Sequence, residues 1–458
     1  MLVIAAIHQY VLLGFPNSGD EYVYLYQAET MAAGRLWNDA AIAPEIFAFN
    51  YIVQEPHRTF GSFPVGWPLA LAPAVALHGP TWLVNAVLGV VTVGLVWVLG
   101  ARLYTPRVGV LAAAVVVVSP FFAFNAASYF SHTFCGALLL GAGCLAARQD
   151  RRPWWVPVSI GLLLGWAVLT RYVTGLVCGV PIVLWLLRAG VNRARTAWLL
   201  VLGGLPWVVV LMAYNSALSG SPWRLTTTPL TVSRWFADGF VLRGADILST
   251  QVLRHVLWTP PALIVVYLVY LRVAPAETRR GAFDWMPILM AGILYFYMER
   301  GGNQYGPRFY YEVFPFLTLF VVANAFRERH FFEKSRRDRV LFAVLTLSVA
   351  MTPVSFLAHA AIERQVVRER MDPYTRVADA GLSQALVLIA GRVGTMRSMA
   401  ARDLTRNGIE HRASVIYGLD PGETERCGPH ARLPGRTTYL YYWDRAASRG
   451  VLRPVTCP

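Results

Sequence analysis

Apolar stretches succeed one another from residue 80 to residue 360, at 80–103, 108–124, 134–147, 154–170, 173–187, 197–218, 256–271, 285–298, 309–326 and 340–360. A further one at 2–15 opens the chain. A helix needs about 20 apolar residues to cross a bilayer upright, so the shorter stretches must recruit aromatic or small polar neighbours, or sit in a locally thinned bilayer. The expectation is an all-α polytopic membrane protein with about eleven spanning helices. Composition agrees: 56% of residues are hydrophobic, 15% are charged and the mean hydropathy is +0.45, whereas a soluble domain carries about 25% charged residues.

The net charge of +15 fits either a nucleic-acid binder or a membrane protein whose basic residues mark its cytoplasmic side. Position decides between them. With residue 1 in the cytoplasm, every second connection is internal, and these connections hold Arg102 and Arg107, Arg148, Arg151 and Arg152, and Arg188, Arg193 and Arg195. The series continues with Arg272, Arg279 and Arg280, and with Arg327, Arg329, Lys334, Arg336, Arg337 and Arg339. This placement sets aside a nucleic-acid partner. It puts the N-terminus inside and the C-terminus outside a multi-pass protein of the plasma (inner) membrane. The stretch 2–15 holds His8 and Gln9 and has no basic residue before it. It reads as a minimal spanning helix and a poor signal peptide, as from a truncated or misassigned start.

Two outer connections are long. The first, 16–79, ends in 64–78, an apolar stretch with Pro64, Pro68 and Pro73 that suits the membrane interface better than a crossing. The second, 219–253, is rich in Thr, Trp and Arg and reads as a lid. After about Ala361 the chain turns polar and Arg-rich. Residues 1–360 therefore read as the transmembrane domain, and 361–458 as a small extracytoplasmic α/β domain with strands at 384–390, 413–417 and 437–443 and a helix at 396–407. Cys135, Cys144 and Cys178 lie in apolar stretches as packing residues, while Cys427 and Cys457 fall in the tail, where a disulfide or two free thiols are equally open. No CxxC or His-rich spacing points to a metal.

Three groups of polar residues survive at the outer mouths of these helices. In Asn17-Ser18-Gly19-Asp20-Glu21-Tyr22, two adjacent carboxylates serve either as the capped first turn of an amphipathic helix or as a general base for a hydroxyl, and both uses are compatible. Glu55-Pro56-His57-Arg58, followed by Phe60 to Pro68, reads as interfacial anchoring with Arg58 on lipid phosphate. Arg308, in the stretch from Gly301 to Glu312 that opens the run at 309–326, suits a phosphate held by charge-assisted bidentate bonds, or else an aromatic and basic belt. His132 and Arg171 are weaker candidates of the same kind.

In order, SGDEYVYLYQAETMAAGRLW, then FPVGWPLALAPAVALHGPTWLVNAVLGVVTVGLVWVLGARLY, then GPRFYYEVFPFLTLFVVANA resemble the GT-C superfamily of membrane glycosyltransferases. The likeness is to the bacterial branch of protein mannosyltransferases, aminoarabinose transferases and rhizobial lipopolysaccharide-core transferases, and it covers about residues 1–330. It implies inverting transfer of a sugar from a polyprenyl-phosphate donor to an acceptor hydroxyl of a glycan, lipid or protein on the outer face. By position, Asp20 would be the base, Glu21 its support or a weak metal ligand, Arg308 the clamp on the departing phosphate with Arg58 and Tyr310 beside it, and Glu55 the second acidic position, with His57 a weaker candidate. Some members use a divalent metal, but no ligand cluster is visible and no cofactor is expected. The tail lies outside this core, with acceptor binding as the role open to it.

Other classes make different demands. A transporter or flippase calls for internal repeats and charged or broken helices near the midplane, which are not evident. A non-enzymatic cell-envelope scaffold would leave Asp20 replaceable.

Overall fold

The computed structural model describes the chain except residues 42, 149–152, 189–191, 227–239, 298–303, 328–333, 411–412 and 458, and the side chains of 240–243 and 296–297. It is mostly helical. Among the described residues, three helical stretches are long and apolar enough to cross a membrane: Trp82–Leu103, Arg193–Ser219 and Arg336–Asp379. Two bent pairs raise this to five, and seven further apolar helices have 10–17 residues, so the described helices do not themselves establish eleven spans.

The run at 108–124 shows why the count drops. It divides into Pro106–Val118 and Pro120–Ala127, bent by 67°. Pro120 disfavours helical geometry in the residue before it, and Ser119 is extended at φ −74° and ψ 123°. The second pair, Gly244–Trp258 and Leu263–Val273, bends by 110° around Thr259 and Pro260. The two breaks meet: Ser119 Oγ donates to the Trp258 carbonyl at 3.1 Å and so satisfies a helix end. Likewise, the stretch at 2–15 is helical only over Leu2–Ala6 and, with wider π turns, Ile7–Val11, where buried His8 stacks on Trp82.

Basic connections gather at one end of the bundle. Arg102 Nη1 donates to the Cys144 carbonyl and Arg280 Nε to the Leu103 carbonyl. Of the arginines expected there, Arg151, Arg152 and Arg329 lie outside the described residues.

At the other end lie the first long connection and the C-terminal part. The connection forms a helix at Gly19–Ala32 and a small antiparallel sheet of β1 (Asn38–Asp39), β2 (Ile52–Glu55) and β3 (Arg58–Gly61), with β3 in the middle. The stretch 64–78 becomes the helix Gly66–Ala76. Trp67 is fully buried, so this segment does not anchor at the interface through that side chain. The expected loop 219–253 is only partly a loop: residues 227–239 lie outside the described set, and Phe240–Trp258 is helical.

The compositional change near Ala361 falls within an unbroken helix, Thr352–Asp379. Beyond it, β4 (Ala385–Ala390), β7 (Val415–Leu419), β8 (Thr437–Asp444) and β9 (Arg449–Pro454) form a sheet in the order β7-β4-β8-β9. In that sheet, β4 is parallel to β7 and β8, and β9 is antiparallel to β8. The expected helix at 396–407 is instead a strand pair, β5 (Arg392–Val393) with β6 (Met399–Ala400), and a single 3-10 turn at Ala401–Asp403. Leu404 is fully buried against Val387, Ile389 and Tyr441, a demand of tertiary packing that overrides local periodicity. Cys427 and Cys457 are bonded, with Cα atoms 5.4 Å apart.

The sheet does not complete its own core. One face packs on the Thr352–Asp379 helix through Val377 and Tyr374, and the other on Ala43, Ile46 and Phe47 of the first connection. The Leu419 N–H also donates to the Ile46 carbonyl at 2.7 Å. The first connection and the C-terminal sheet therefore lie on the same side of the bundle.

Candidate active site

Ser18 begins the helix Gly19–Ala32. Its backbone is extended and its hydroxyl accepts from the Glu21 N–H at 3.1 Å, which satisfies one of the free donors of the first turn. Asp20 and Glu21 sit in that turn, where the helix dipole favours negative charge. Neighbouring positions on a helix point apart, and the two carboxylates have different fates.

Asp20 keeps 22% of its side chain exposed, and its Oδ2 accepts from Arg308 Nη2 at 2.5 Å. The two residues are 288 positions apart in sequence. Arg308 comes from a short 3-10 turn, Arg308–Tyr310, reached through Tyr305 and Gly306 at positive φ of 56° and 99°. A Cβ at residue 306 would stand 2.7 Å from the Phe121 ring, so both conformation and space call for glycine there. The Arg308 guanidinium lies over Phe130 at 4.2 Å, and its Nε is buried without a hydrogen-bond partner.

Glu21 is fully buried. Its Oε2 accepts from the Tyr129 N–H at 3.1 Å, while Oε1 has no partner. Burial pushes its carboxyl up to about 7, and the proximity of Asp20 adds to the rise. The Tyr129 hydrogen bond, Arg406 and Arg308 pull the other way.

The Tyr129 peptide belongs to the break between the helices Pro120–Ala127 and His132–Ala146. Asn85 Nδ2 donates to the Ser128 and Phe130 carbonyls at 2.7 and 2.8 Å, and Trp67 Nε1 to the Tyr129 carbonyl at 2.8 Å. The motif around Trp67 thus fixes the floor of the site from within.

A second cluster adjoins the first. Glu312, fully buried, has its Oε1 3.0 Å from Arg171 Nε and 3.1 Å from His132 Nδ1. Arg171 Nη1 donates to Ser131 Oγ at 3.4 Å, and Ser131 Oγ lies 3.1 Å from the Tyr24 hydroxyl. Phe309 stands between the cations, 5.6 Å from Arg171 and 5.7 Å from Arg308. Arg171 is brought there because the helix Gly66–Ala76 abuts the end of Trp155–Thr170: a Cβ at Gly66 would meet Thr170 Oγ1 at 2.6 Å.

The structure therefore brings together Asp20, Glu21, Arg308, Arg171 and His132. Sequence reasoning passed over Glu312. Its signal was a carboxylate at the mouth of an apolar run, which requires a buried cation, and Arg171 at the end of another run was a cation of the kind required.

Arg58, Glu55, His57 and Tyr310 are placed otherwise. Arg58 Nε donates to Glu55 Oε2 at 2.6 Å, while its Nη1 and Nη2 donate to the Ala217 and Leu218 carbonyls at 3.1 and 2.8 Å. The pair caps the end of Arg193–Ser219, with each nitrogen of Arg58 committed to the protein. His57 is exposed at the turn between β2 and β3. Tyr310 is buried with its ring against His255, 5.3 Å between centroids. Among the described residues, no group of three or more His, Cys, Asp or Glu is placed to hold a metal ion.

Residues 66–214 match a family model described as dolichyl-phosphate-mannose-protein mannosyltransferase. The matched segment contains His132 and Arg171 but neither Asp20 nor Arg308. No curated protein matches the sequence. Among solved structures, the chain is similar to ArnT from Cupriavidus metallidurans bound to undecaprenyl phosphate, at 12% identity over 99% of this chain and 97% of that one, with a TM-score of 0.55. The apo state of the same protein matches at 12% identity and TM-score 0.51, over 99% and 97% of the two chains. The Archaeoglobus fulgidus oligosaccharyltransferase in complex with Zn and sulfate matches at 14% identity and TM-score 0.50, over 96% of this chain and 66% of that one. At such identities the likeness is one of fold.

Proposed function

On a chain with the fold of the GT-C membrane glycosyltransferases, we propose that Asp20, Arg308 and Arg171 carry out inverting sugar transfer from a polyprenyl-phosphate donor to an acceptor hydroxyl at the outer membrane face. The observation that carries the reading is the Asp20–Arg308 ion pair, which joins a partly exposed base to a cation suited to phosphate. The acceptor oxygen forms its bond to the anomeric carbon as Asp20 takes the hydroxyl proton. The bond from that carbon to the phosphate oxygen breaks on the opposite face, and the polyprenyl phosphate leaves with the electron pair. Arg308 meets the charge that develops there, with Arg171 as a second cation held by Glu312. Phosphate competes with Asp20 for the guanidinium, so donor binding frees the carboxylate to act as base. ArnT was solved with undecaprenyl phosphate, a polyprenyl phosphate of the kind that this chemistry releases.

The same reading places the N-terminus in the cytoplasm, the C-terminal domain outside, and about eleven crossings between them. The decisive experiment incubates membranes containing the protein with a panel of radiolabelled polyprenyl-phosphate sugars and follows label into acceptor material. Transfer that the Asp20→Asn variant lacks supports the reading. Transfer undiminished in that variant removes Asp20 as the base, and no transfer from any donor removes the function.

A further inference from the structure

Two arginines from the C-terminal part of the chain end on the peptide that precedes Asp20. Arg370, buried on the helix Thr352–Asp379, donates through Nη1 to the Asn17 carbonyl at 2.5 Å and to Asn17 Oδ1 at 2.8 Å, while its Nη2 donates to the Arg397 carbonyl at 3.0 Å. Arg406, just past the 3-10 turn Ala401–Asp403, donates through Nη1 to the Pro16 carbonyl and through Nη2 to the Ser18 carbonyl at 3.4 Å. Its guanidinium lies 4.4 Å from the Phe15 ring centre and 5.5 Å from that of Tyr22, and the Tyr22 hydroxyl donates to the Asn407 carbonyl.

Three consecutive carbonyls, at Pro16, Asn17 and Ser18, thus receive donors from beyond residue 369. Pro16 and Asn17 precede the helix Gly19–Ala32, and no turn of that helix can satisfy their carbonyls. Ser18 is the cap, and its orientation sets where the first turn points, including Asp20. The contact is also reciprocal. The first connection fills one face of the C-terminal sheet with Ile46 and Phe47, and Asn50 Nδ2 donates to Asp403 Oδ1 at 2.6 Å. Each partner covers apolar surface of the other.

We propose that Arg406 and Arg370 are positioning residues for the sugar-transfer step, so that the C-terminal domain forms part of the catalytic centre by holding the Asp20 turn against Arg308. The proposal rests on the functional reading above. It departs from acceptor binding as the role of the tail. Proton transfer depends steeply on placement, and a shift of about 1 Å costs about 10² in rate. Loss of the Arg406 contacts therefore lowers kcat while leaving the KM for acceptor near its original value.

The test has one arm that needs no catalysis. Cys135, Cys144 and Cys178 are buried and Cys427 is bonded to Cys457, so an Asp20→Cys variant presents one accessible thiol. Its labelling rate by a membrane-impermeant maleimide is measured in full-length protein with Arg406 intact, with Arg406→Gln and with Arg406→Lys. Retained trypsin resistance of the C-terminal domain confirms folding in each. The second arm measures kcat and acceptor KM for the Arg406 variants with Asp20 present.

The expected result is labelling at least about fivefold faster in Arg406→Gln, with a smaller increase in Arg406→Lys. It is accompanied by kcat lowered about 10- to 100-fold at near-constant KM. Unchanged labelling overturns the proposal, whatever happens to kcat, because Arg406 then does not hold the turn. Faster labelling with unchanged kcat overturns it too. Should the original protein transfer no sugar at all, the functional reading falls, and the labelling arm alone decides whether the arginines hold the turn.

Discussion

Asp20 and Arg308 form an ion pair, yet their loss should not be equivalent. Asp20→Asn keeps the side chain's size and removes the proposed base, so turnover should fall about 10² or more with binding of undecaprenyl phosphate retained. Arg308→Ala removes the proposed clamp, whose contacts would be made in both ground and transition states, so affinity and turnover should fall together. Equilibrium binding beside initial rates separates the two patterns, and indistinguishable variants would dissolve the division of roles. Glu21 gives a prediction in pH. Its carboxyl holds a proton more tightly when folded, at about 7 against an ordinary 4.5, so protonation favours the fold. That contribution is complete below an ordinary carboxyl value and is lost as pH rises through about 7. Glu21→Gln keeps a neutral group there, so the stability advantage of the unaltered protein at about pH 5 over about pH 8 should shrink in the variant. Denaturation midpoints at the two pH values check this, and parallel behaviour would show that Glu21 does not titrate in this range.

At the scale of elements, the chain uses short, interrupted helices to place polar groups where unbroken ones could not. The bend at Ser119 and the break at 128–131 turn backbone groups inward, and the Tyr129 N–H reaches Glu21 only because that segment is not helical. The hairpin of β2 and β3 has a different task. Arg58 spends its three nitrogens on Glu55 and on two carbonyls at the end of Arg193–Ser219. Arg58→Ala should therefore lower stability by about 1 kcal/mol, given the partial exposure of the pair, and leave affinity for the lipid phosphate within about twofold. A large loss of affinity would return Arg58 to the donor site. The expected helix at 396–407 erred for a related reason: local pattern marked Met399, Leu404 and their neighbours as apolar, but the surface they cover belongs to strands from elsewhere in the chain.

For the whole molecule, the packing of the C-terminal sheet on the first connection constrains topology, because a connection and a domain in contact must share one side of the membrane. If that side is extracytoplasmic, a reporter active only in the cytoplasm will be silent at the C-terminus and active when inserted in the basic connection near Arg279. The opposite pair of results would invert the orientation and move the proposed chemistry to the cytoplasmic face.

The sequence by itself determined the elements whose causes are local. Long apolar runs, a Ser-Gly-Asp-Glu cap, a Gly-Pro-Arg turn and the basic connections each follow from hydropathy, backbone conformation or charge within a few residues, and so Asp20 and Arg308 were legible as candidates. It also marked Arg171 and His132, without the partner that gives them meaning. Only tertiary structure decided that Glu312 joins them, that Arg58 and Glu55 hold a helix end, and that Arg370 and Arg406 reach back across more than 350 residues to the peptide before Asp20. The reason is physical. A cap or a turn is satisfied by groups nearby in sequence, whereas a buried charge is satisfied by whatever the packed chain brings within about 3 Å, and that depends on the crossing of elements.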